Sequence, residues 1–263
     1  MSQPAIELRD LVMRFGVGTA NPVLAVDRVS FNLKAGEFVS LVGPSGCGKT
    51  TILNLLTGLL PDVPEGVVRV LGKTPSAGNP DIAYMLARDS LLPWRTALGN
   101  AAYGMEIRNV PKAQREARAL ALLKRVGLGD FADKYPKALS HGMRQRCALA
   151  RTFALDSPVF LMDEPFGALD AQTKLQLEDV LMDLWFASQK TVVFVTHDLA
   201  EAVALSDRVI VMSARPGRIV ADVPIDLPRP RSVRALQKDH RFHELYAQLW
   251  SLLEQGMVGN DVH

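Results

Sequence analysis

Cysteine is scarce in this sequence: Cys47 and Cys147 are the only two among 263 residues, with no paired spacing and no His/Cys cluster beside them. That excludes a disulfide-stapled framework, offers no zinc signature and suits a reducing compartment. Net charge is equally slight, with 30 Lys and Arg against 28 Asp and Glu. Neither a disordered chain nor a dedicated nucleic-acid footprint is expected from such a balance. Long apolar runs are missing too. The most apolar helical stretch, Ile52 to Leu60, is interrupted by Asn54 and Thr57 and falls far short of the roughly 18 to 20 residues a membrane span needs. Met1 to Asp10 carries Glu7 and no apolar segment with a small-residue cleavage site, so no secretory signal is expected. No internal repeat or low-complexity tract is visible. The expectation is a cytoplasmic chain that, if it serves a membrane, depends on another chain to cross it.

What is present is a globular composition, 48% hydrophobic, long enough for one large domain or two small ones. β-rich runs at Ile6 to Phe15, Val26 to Leu33 and Glu37 to Val42 predict a β-layer at the start. A helix follows from Lys49, with Ile52, Leu55, Leu56 and Leu59 on one face and a stop at Pro61. Val67 to Leu71 and Ile82 to Met85 return to strand. Between about Leu98 and Leu155 strand signals vanish, which predicts an inserted helical subdomain. In it a helix opens at Pro111, runs with Ala113, Ala117, Leu120, Ala121 and Lys124 on one side, and ends at Gly127. Strands resume at Val159 to Met162, Thr191 to Thr196, Arg208 to Met212 and Arg218 to Val223, with a helix from Asp170 to Ser188 between the first two. That alternation predicts an α/β fold with a mainly parallel core sheet. The Pro and Arg cluster at Pro224 to Arg231 marks a boundary before a terminal helix from Val233 to Leu253.

Three elements carry chemistry. Residues 43 to 50, Gly-Pro-Ser-Gly-Cys-Gly-Lys-Thr, fit G-x-x-x-x-G-K-[ST] after a strand and at the opening of a helix. Glycines there let successive N–H groups turn inward around phosphate oxygens, and the helix N-terminus adds partial positive charge. Lys49 is expected to reach the β- and γ-phosphates and the Thr50 hydroxyl to hold Mg²⁺. Second, the apolar run Val159 to Met162 ends in Asp163, suited to Mg²⁺, and Glu164, suited to orient or deprotonate an attacking water. A helix cap is the bland alternative, but Pro165 and the Phe-Gly turn after it set the pair in a loop. Third, His197 follows a core strand beside Asp198 and is suited to hydrogen-bond a γ-phosphate.

Gly43 to Thr50, Leu139-Ser140-His141-Gly142-Met143, Met162-Asp163-Glu164, Ala168-Leu169-Asp170 and His197 occur, in that order, as in an ATP-binding cassette (ABC) ATPase. The chain resembles that family over roughly residues 5 to 225. The resemblance implies a phosphate-loop NTPase (RecA-like) core with an N-terminal antiparallel β-subdomain and a helical subdomain at about 90–155. An ABC ATPase domain would span 5–228, leaving 229–263 as a helical tail. It implies that Gly43, Pro44, Ser45, Gly46, Cys47, Gly48, Lys49, Thr50 and Thr51 bind ATP and that Phe15 stacks on adenine. By the same likeness Ser140, His141 and Gly142 cap the γ-phosphate of ATP held by the other protomer of a head-to-tail dimer, Asp170 lies in the loop linking the two sites, and Lys49, Glu164 and His197 are catalytic. Leu91-Leu92-Pro93-Trp94, Gly142 to Arg146 and Ser213 to Arg218 are similar to the nitrate, sulfonate and taurine importer branch. The implied partners are a second ATPase subunit, integral-membrane permease subunits and, indirectly, an extracytoplasmic solute-binding protein. Nucleic acid is not among them, and the implied location is the inner face of the cell membrane.

Two departures stand out. Where the family usually carries glutamine after the strand at Ile82 to Met85 this chain has Ala87, and no Gln occurs between Gln3 and Gln114. Alanine offers no hydrogen bond, although Asp89 or water could substitute in part. His141 replaces a usual glycine, and its imidazole is expected to point to solvent while the backbone N–H survives. A weakened or differently gated ATPase follows as an expectation, with a non-hydrolysing partner in a heterodimer and a soluble non-transport ATPase as rivals. Outside the motifs, the basic stretch Arg229 to Arg241 reads as a solvated helix face rather than a lipid contact. Arg144, Arg146 and Arg151 are expected to pack and pair within the helical subdomain. Cys47 reads as a loop filler, with a thiol activated by the helix N-terminus as the alternative.

Overall fold

The computed structural model describes residues 3–60, 65–87, 90–167 and 169–258. In chain order its first elements are β1 (Ile6–Phe15), β2 (Val23–Leu33), β3 (Phe38–Val42), α1 (Lys49–Thr57), β4 (Glu65–Val70) and β5 (Ile82–Met85). Then come α2 (Ala97–Ile107), α3 (Lys112–Arg125), α4 (His141–Ala154), β6 (Val159–Asp163) and α5 (Ala171–Ser188). The last are β7 (Thr191–Val195), α6 (Leu199–Leu205), β8 (Arg208–Met212), β9 (Ile219–Pro224), α7 (Val233–Leu236) and α8 (His240–Val258). No helix among the described residues is long and apolar enough to cross a membrane. The chain divides into two units, one of residues 1–80 with 189–263, the other of residues 81–188.

The first unit holds two sheets. In one, β1 lies between β2 and β4, antiparallel to both, with Ile6 opposite Leu33 on one side and Val70 on the other. In the other, β3 runs parallel to β7 and β8, and β9 returns antiparallel to β8. β3 and β7 are buried at every position, as their uninterrupted apolar runs require of strands covered on both faces. α1 ends at Thr57 because Gly58 takes a left-handed φ of 69° and returns its N–H to the Asn54 and Leu55 carbonyls. The expected stop at Pro61 falls outside the described residues; the glycine cap acts first.

The expected single terminal helix is two. Ser232 caps the short α7, and the chain turns at Asp239, whose carboxylate accepts from Phe242 N, before α8 begins. α8 buries Phe242, Leu245 and Leu249, one face at helical spacing. The basic stretch before and within these helices is solvated only in part: Arg234, Lys238 and Arg241 are exposed, while Arg231 is buried. Arg229 pairs with Asp207, and Arg241 with Asp226 and Glu244. Arg231 is only 9% exposed and donates to the carbonyls of Val203, Ala204 and Ser206 at the end of α6 and of Ile225 and Leu227. Burial and neighbouring Arg229 pull its pKa down to about 10, which leaves it protonated at neutral pH. The sequence pattern missed this because arginine density reads as surface unless the carbonyl acceptors are known.

In the second unit β5 and β6 pair in parallel, Ile82 opposite Val159, and α2, α3 and α4 pack on one another. Gly104 sits so near Leu155 that a Cβ there would come within 2.4 Å of its Cδ2. Thr96 and Ser140 cap α2 and α4 through their hydroxyls. The packed side of α3 is Ala119 and Leu123, while Ala113, Ala117, Ala121 and Lys124 are exposed. The side read from the sequence is thus mostly the solvent side of the helix, and the buried pair lies on the other.

Arg231 holds the start of the tail through five carbonyls, so Arg231→Met should lower stability by about 3 kcal/mol, roughly 6 to 12 °C in melting temperature, through carbonyls left without a donor. Thermal unfolding followed by circular dichroism measures this, with Arg234→Met, at an exposed position, as the comparison.

Candidate functional site

The phosphate-loop sequence lies between the fully buried β3 and α1, so its ends are fixed by the sheet and its middle is pressed from behind by other parts of the first unit. A Cβ on Gly43 would meet Cys47 Sγ and the Met212 carbonyl at 2.9 Å, and one on Gly48 would meet Val26 Cγ2 at 2.7 Å. Gly48 also takes φ 98°, left-handed and open to glycine, and stands as the N-cap of α1 with no side chain capping the helix and no acidic residue in its first turn. Lys49, 5% exposed, folds back into the loop and donates to the Gly43 and Pro44 carbonyls at 2.7 and 3.1 Å. An ammonium only partly satisfied by two carbonyls, at a helix start with no side-chain cap and no acid, suits an anion, and a polyphosphate fits it. Ser45, Gly46 and Thr50 are exposed at the loop surface, Thr51 is half-buried, and Pro44 is partly exposed.

Cys47 is fully buried. Burial pushes its thiol above the ordinary range, and the nearby Lys49 ammonium offsets that only in part. The loop-filling role therefore holds, and the activated thiol does not.

The segment Ser213 to Arg218, which the sequence offered only as a resemblance marker, supports the phosphate loop directly. Gly217 bridges Val26, with Gly217 N donating to Ala25 O and Asp27 N to Gly217 O. A Cβ on Gly217 would lie 1.9 Å from the Cys47 carbonyl. The Arg215 guanidinium comes within 3.4 Å of where a Gly46 Cβ would stand. The signal was in the sequence, a Pro-Gly pair between two strands, but its partner, more than 160 residues earlier, was not. Phe15, at the end of β1, is half-buried, and His197, just beyond β7, is exposed. These residues all belong to the first unit.

The second unit carries the rest. Asp163 is the last residue of β6 and is buried, one position earlier in the strand than a loop placement implied; Glu164 follows in the turn. Glu164 adopts φ 44°, a left-handed conformation costing about 1 to 2 kcal/mol for a residue with a side chain, and such strain concentrates at functional positions. Tyr84, across the pair on β5, hydrogen-bonds Asp163. Burial and that carboxylate push the phenol above its ordinary range, so Tyr84 remains a neutral donor holding the aspartate. Ala87 is exposed; Asp89, its suggested substitute, and Ala168 lie outside the described residues. Trp94 is 70% exposed.

At the start of α4, Ser140 Oγ accepts from Met143 N at 3.3 Å. The His141 imidazole does not point to solvent. Its Nδ1 lies 3.2 Å from an Arg144 guanidinium nitrogen, and its Nε2 is buried without a hydrogen-bond partner. Arginine can only donate, so Nδ1 accepts and Nε2 carries the proton. The same guanidinium donates to the Leu139 carbonyl at 2.9 Å, clasping the turn before the helix. Gly142 packs on Thr173 of α5, where a Cβ would come within 2.6 Å, and Asp170 accepts from Thr173 N at 3.0 Å. The turn around Ser140 and the loop ending at Asp170 thus meet the same residue. Arg146 bonds Gln176 and Arg151 the Ser90 carbonyl, so these arginines hold the helical part of the chain together.

Gly217→Ala should weaken ATP binding at least tenfold by driving a methyl into the Cys47 carbonyl, with global stability lowered by about 1 to 3 kcal/mol. Calorimetric titration and a urea melt separate the two effects.

Residues 26–167 match the family model described as ABC transporter. The chain is 47% identical over 218 residues to an ABC transporter ATP-binding protein of Methanocaldococcus jannaschii, covering 82% of this chain and 81% of that one. It is 40% identical over 243 residues to a taurine import ATP-binding protein of Rhizobium johnstonii, covering 91% and 92%. A solved dimeric ATP-binding cassette in a post-hydrolysis state, bound to ADP and phosphate, superposes with a TM-score of 0.72 at 31% identity, over 85% of this chain and all of that one. The buried loop lysine, the antiparallel and parallel sheets and these likenesses together place the chain in the ABC transporter family, as an ATP-binding ATPase subunit.

Proposed function

We propose that this subunit energises uptake of a small solute of the nitrate, sulfonate or taurine class, working as a dimer on membrane permease subunits at the inner face of the membrane. The observation that carries the reading is the Lys49 cradle, an anion site built by the main chain and held closed by the sheet. Likeness to taurine import proteins supports the solute class. The domain proposed for this work is 5–228, with 229–263 as its tail.

In this reading Lys49 and the loop Gly43 to Thr51, whose residues other than Pro44 offer backbone N–H groups, hold the ATP phosphates and Phe15 packs on adenine. Glu164 orients and deprotonates the attacking water, and His197 donates to the γ-phosphate. Ser140, His141 and Gly142 serve ATP held by the second subunit, and Asp170 links the two sites. Thr50 offers a hydroxyl and Asp163 a carboxylate suited to Mg²⁺, which when bound neutralises charge building on the phosphate oxygens. Solute passes through the permease, delivered by a solute-binding protein outside; no nucleic acid takes part.

A second reading has its own observation: Ala87 removes an amide donor and acceptor, which favours a slow or partner-dependent subunit. Ala87→Gln should then raise turnover about tenfold to a hundredfold, the worth of a transition-state contact of about 1 to 3 kcal/mol. Steady-state Mg-ATPase assays test both readings. The rate of the parent chain should rise more steeply than linearly with protein concentration and vanish in Glu164→Gln. A linear dependence from a chain that remains single with ATP contradicts the dimer, and equal rates for the parent and Ala87→Gln contradict the weakened site.

A further inference from the structure

His197 is exposed, yet the residues on either side of it are fixed. Thr196 is 2% exposed and extends the sheet through its N–H to Leu41 O. Its hydroxyl donates to Glu201 Oε2 and accepts from Asp198 N at 3.0 Å. Asp198 in turn caps α6, its Oδ1 accepting from Ala200 N and Glu201 N at 2.7 and 3.3 Å. Glu201 lies in the first turn of α6 and is 3% exposed. Burying a carboxylate is costly unless its oxygens are bonded, so an acid at this place, among Ala202, Val203 and Ala204, calls for a reason.

We propose that Glu201 is a positioning residue for His197. It acts through the Thr196 hydroxyl, whose hydrogen bond it accepts so that the hydroxyl's lone pair faces Asp198 N. One hydroxyl then spans the histidine, joined to the residue after it and to the helix that follows. The far end of α6 is equally held. Ser206 Oγ lies 2.5 Å from Ser40 Oγ on β3, the strand that leads into the phosphate loop, and the Arg231 guanidinium bonds the Val203, Ala204 and Ser206 carbonyls. α6 is a short strut tied at one end to the strand under Lys49 and at the other to the turn carrying His197. The inference rests on the reading of His197 as a group acting on the γ-phosphate.

The test uses isosteric changes. Thr196→Val removes the hydroxyl and Glu201→Met the acceptor; Thr196→Ser and Glu201→Gln keep them. The first pair should lower kcat about tenfold with KM for ATP within twofold, and the double variant should be no slower than either single one. The second pair should match the parent. In a His197→Ala background none of the four should change kcat further. Equal losses in that background, or no loss in the parent, would overturn the proposal. A readout free of turnover keeps it separate from the proposed function: the His197 ring resonance, assigned by its absence in His197→Ala, should be single in the parent and Thr196→Ser and broadened or doubled in Thr196→Val. An unchanged resonance in Thr196→Val overturns the positioning role even if the chain hydrolyses ATP. A changed one sustains it even if the chain proves inactive.

Discussion

A buried lysine ammonium turned onto main-chain carbonyls is the constraint from which much of this molecule follows. Lys49 gains from Gly43 and Pro44 only part of the solvation it gave up on burial, and no acid in the first turn of α1 balances the helix start. Those carbonyls must be held in place, which explains why the loop is braced behind by Met212, Val26 and Gly217 at distances that admit no extra methyl. The bracing segments must themselves be fixed. The Ser213 hydroxyl accepts from Arg218 N and donates to the Ala214 carbonyl, and Ala214 N reaches Gly256 O on α8. A chain of contacts thus runs from the tail to the phosphate loop within one unit.

The tail is therefore more than an appendage. Through Arg231 it closes the carbonyl end of α6, and through Gly256 it meets the loop behind Cys47. The helix whose end it closes begins beside His197, and the loop it supports carries the cradle. Both supports rest on main-chain carbonyls and glycine contacts, features that composition does not display.

Much of this was legible in the sequence because it is local. The phosphate loop, the apolar strand ending at Asp163 and the histidine after a buried strand follow from spacing and burial of neighbouring residues. What escaped was non-local. The role of Arg231 depends on carbonyls 25 to 28 positions earlier, that of Gly217 on Ala25 and Cys47 near the other end of the chain, and the place of Tyr84 on the register of two parallel strands. His141 was misread because its orientation is set by Arg144 one turn on, a partner whose own choice between solvent and the Leu139 carbonyl is a matter of packing.

In the proposed function ATP supplies the charge that the Lys49 cradle lacks and joins two copies of the chain. The most direct test is the mass of Glu164→Gln by light scattering with MgATP and with MgADP. The proposed dimer should show a doubling of mass with ATP and a single chain with ADP. A single chain with both nucleotides, when calorimetry shows ATP bound, would contradict it.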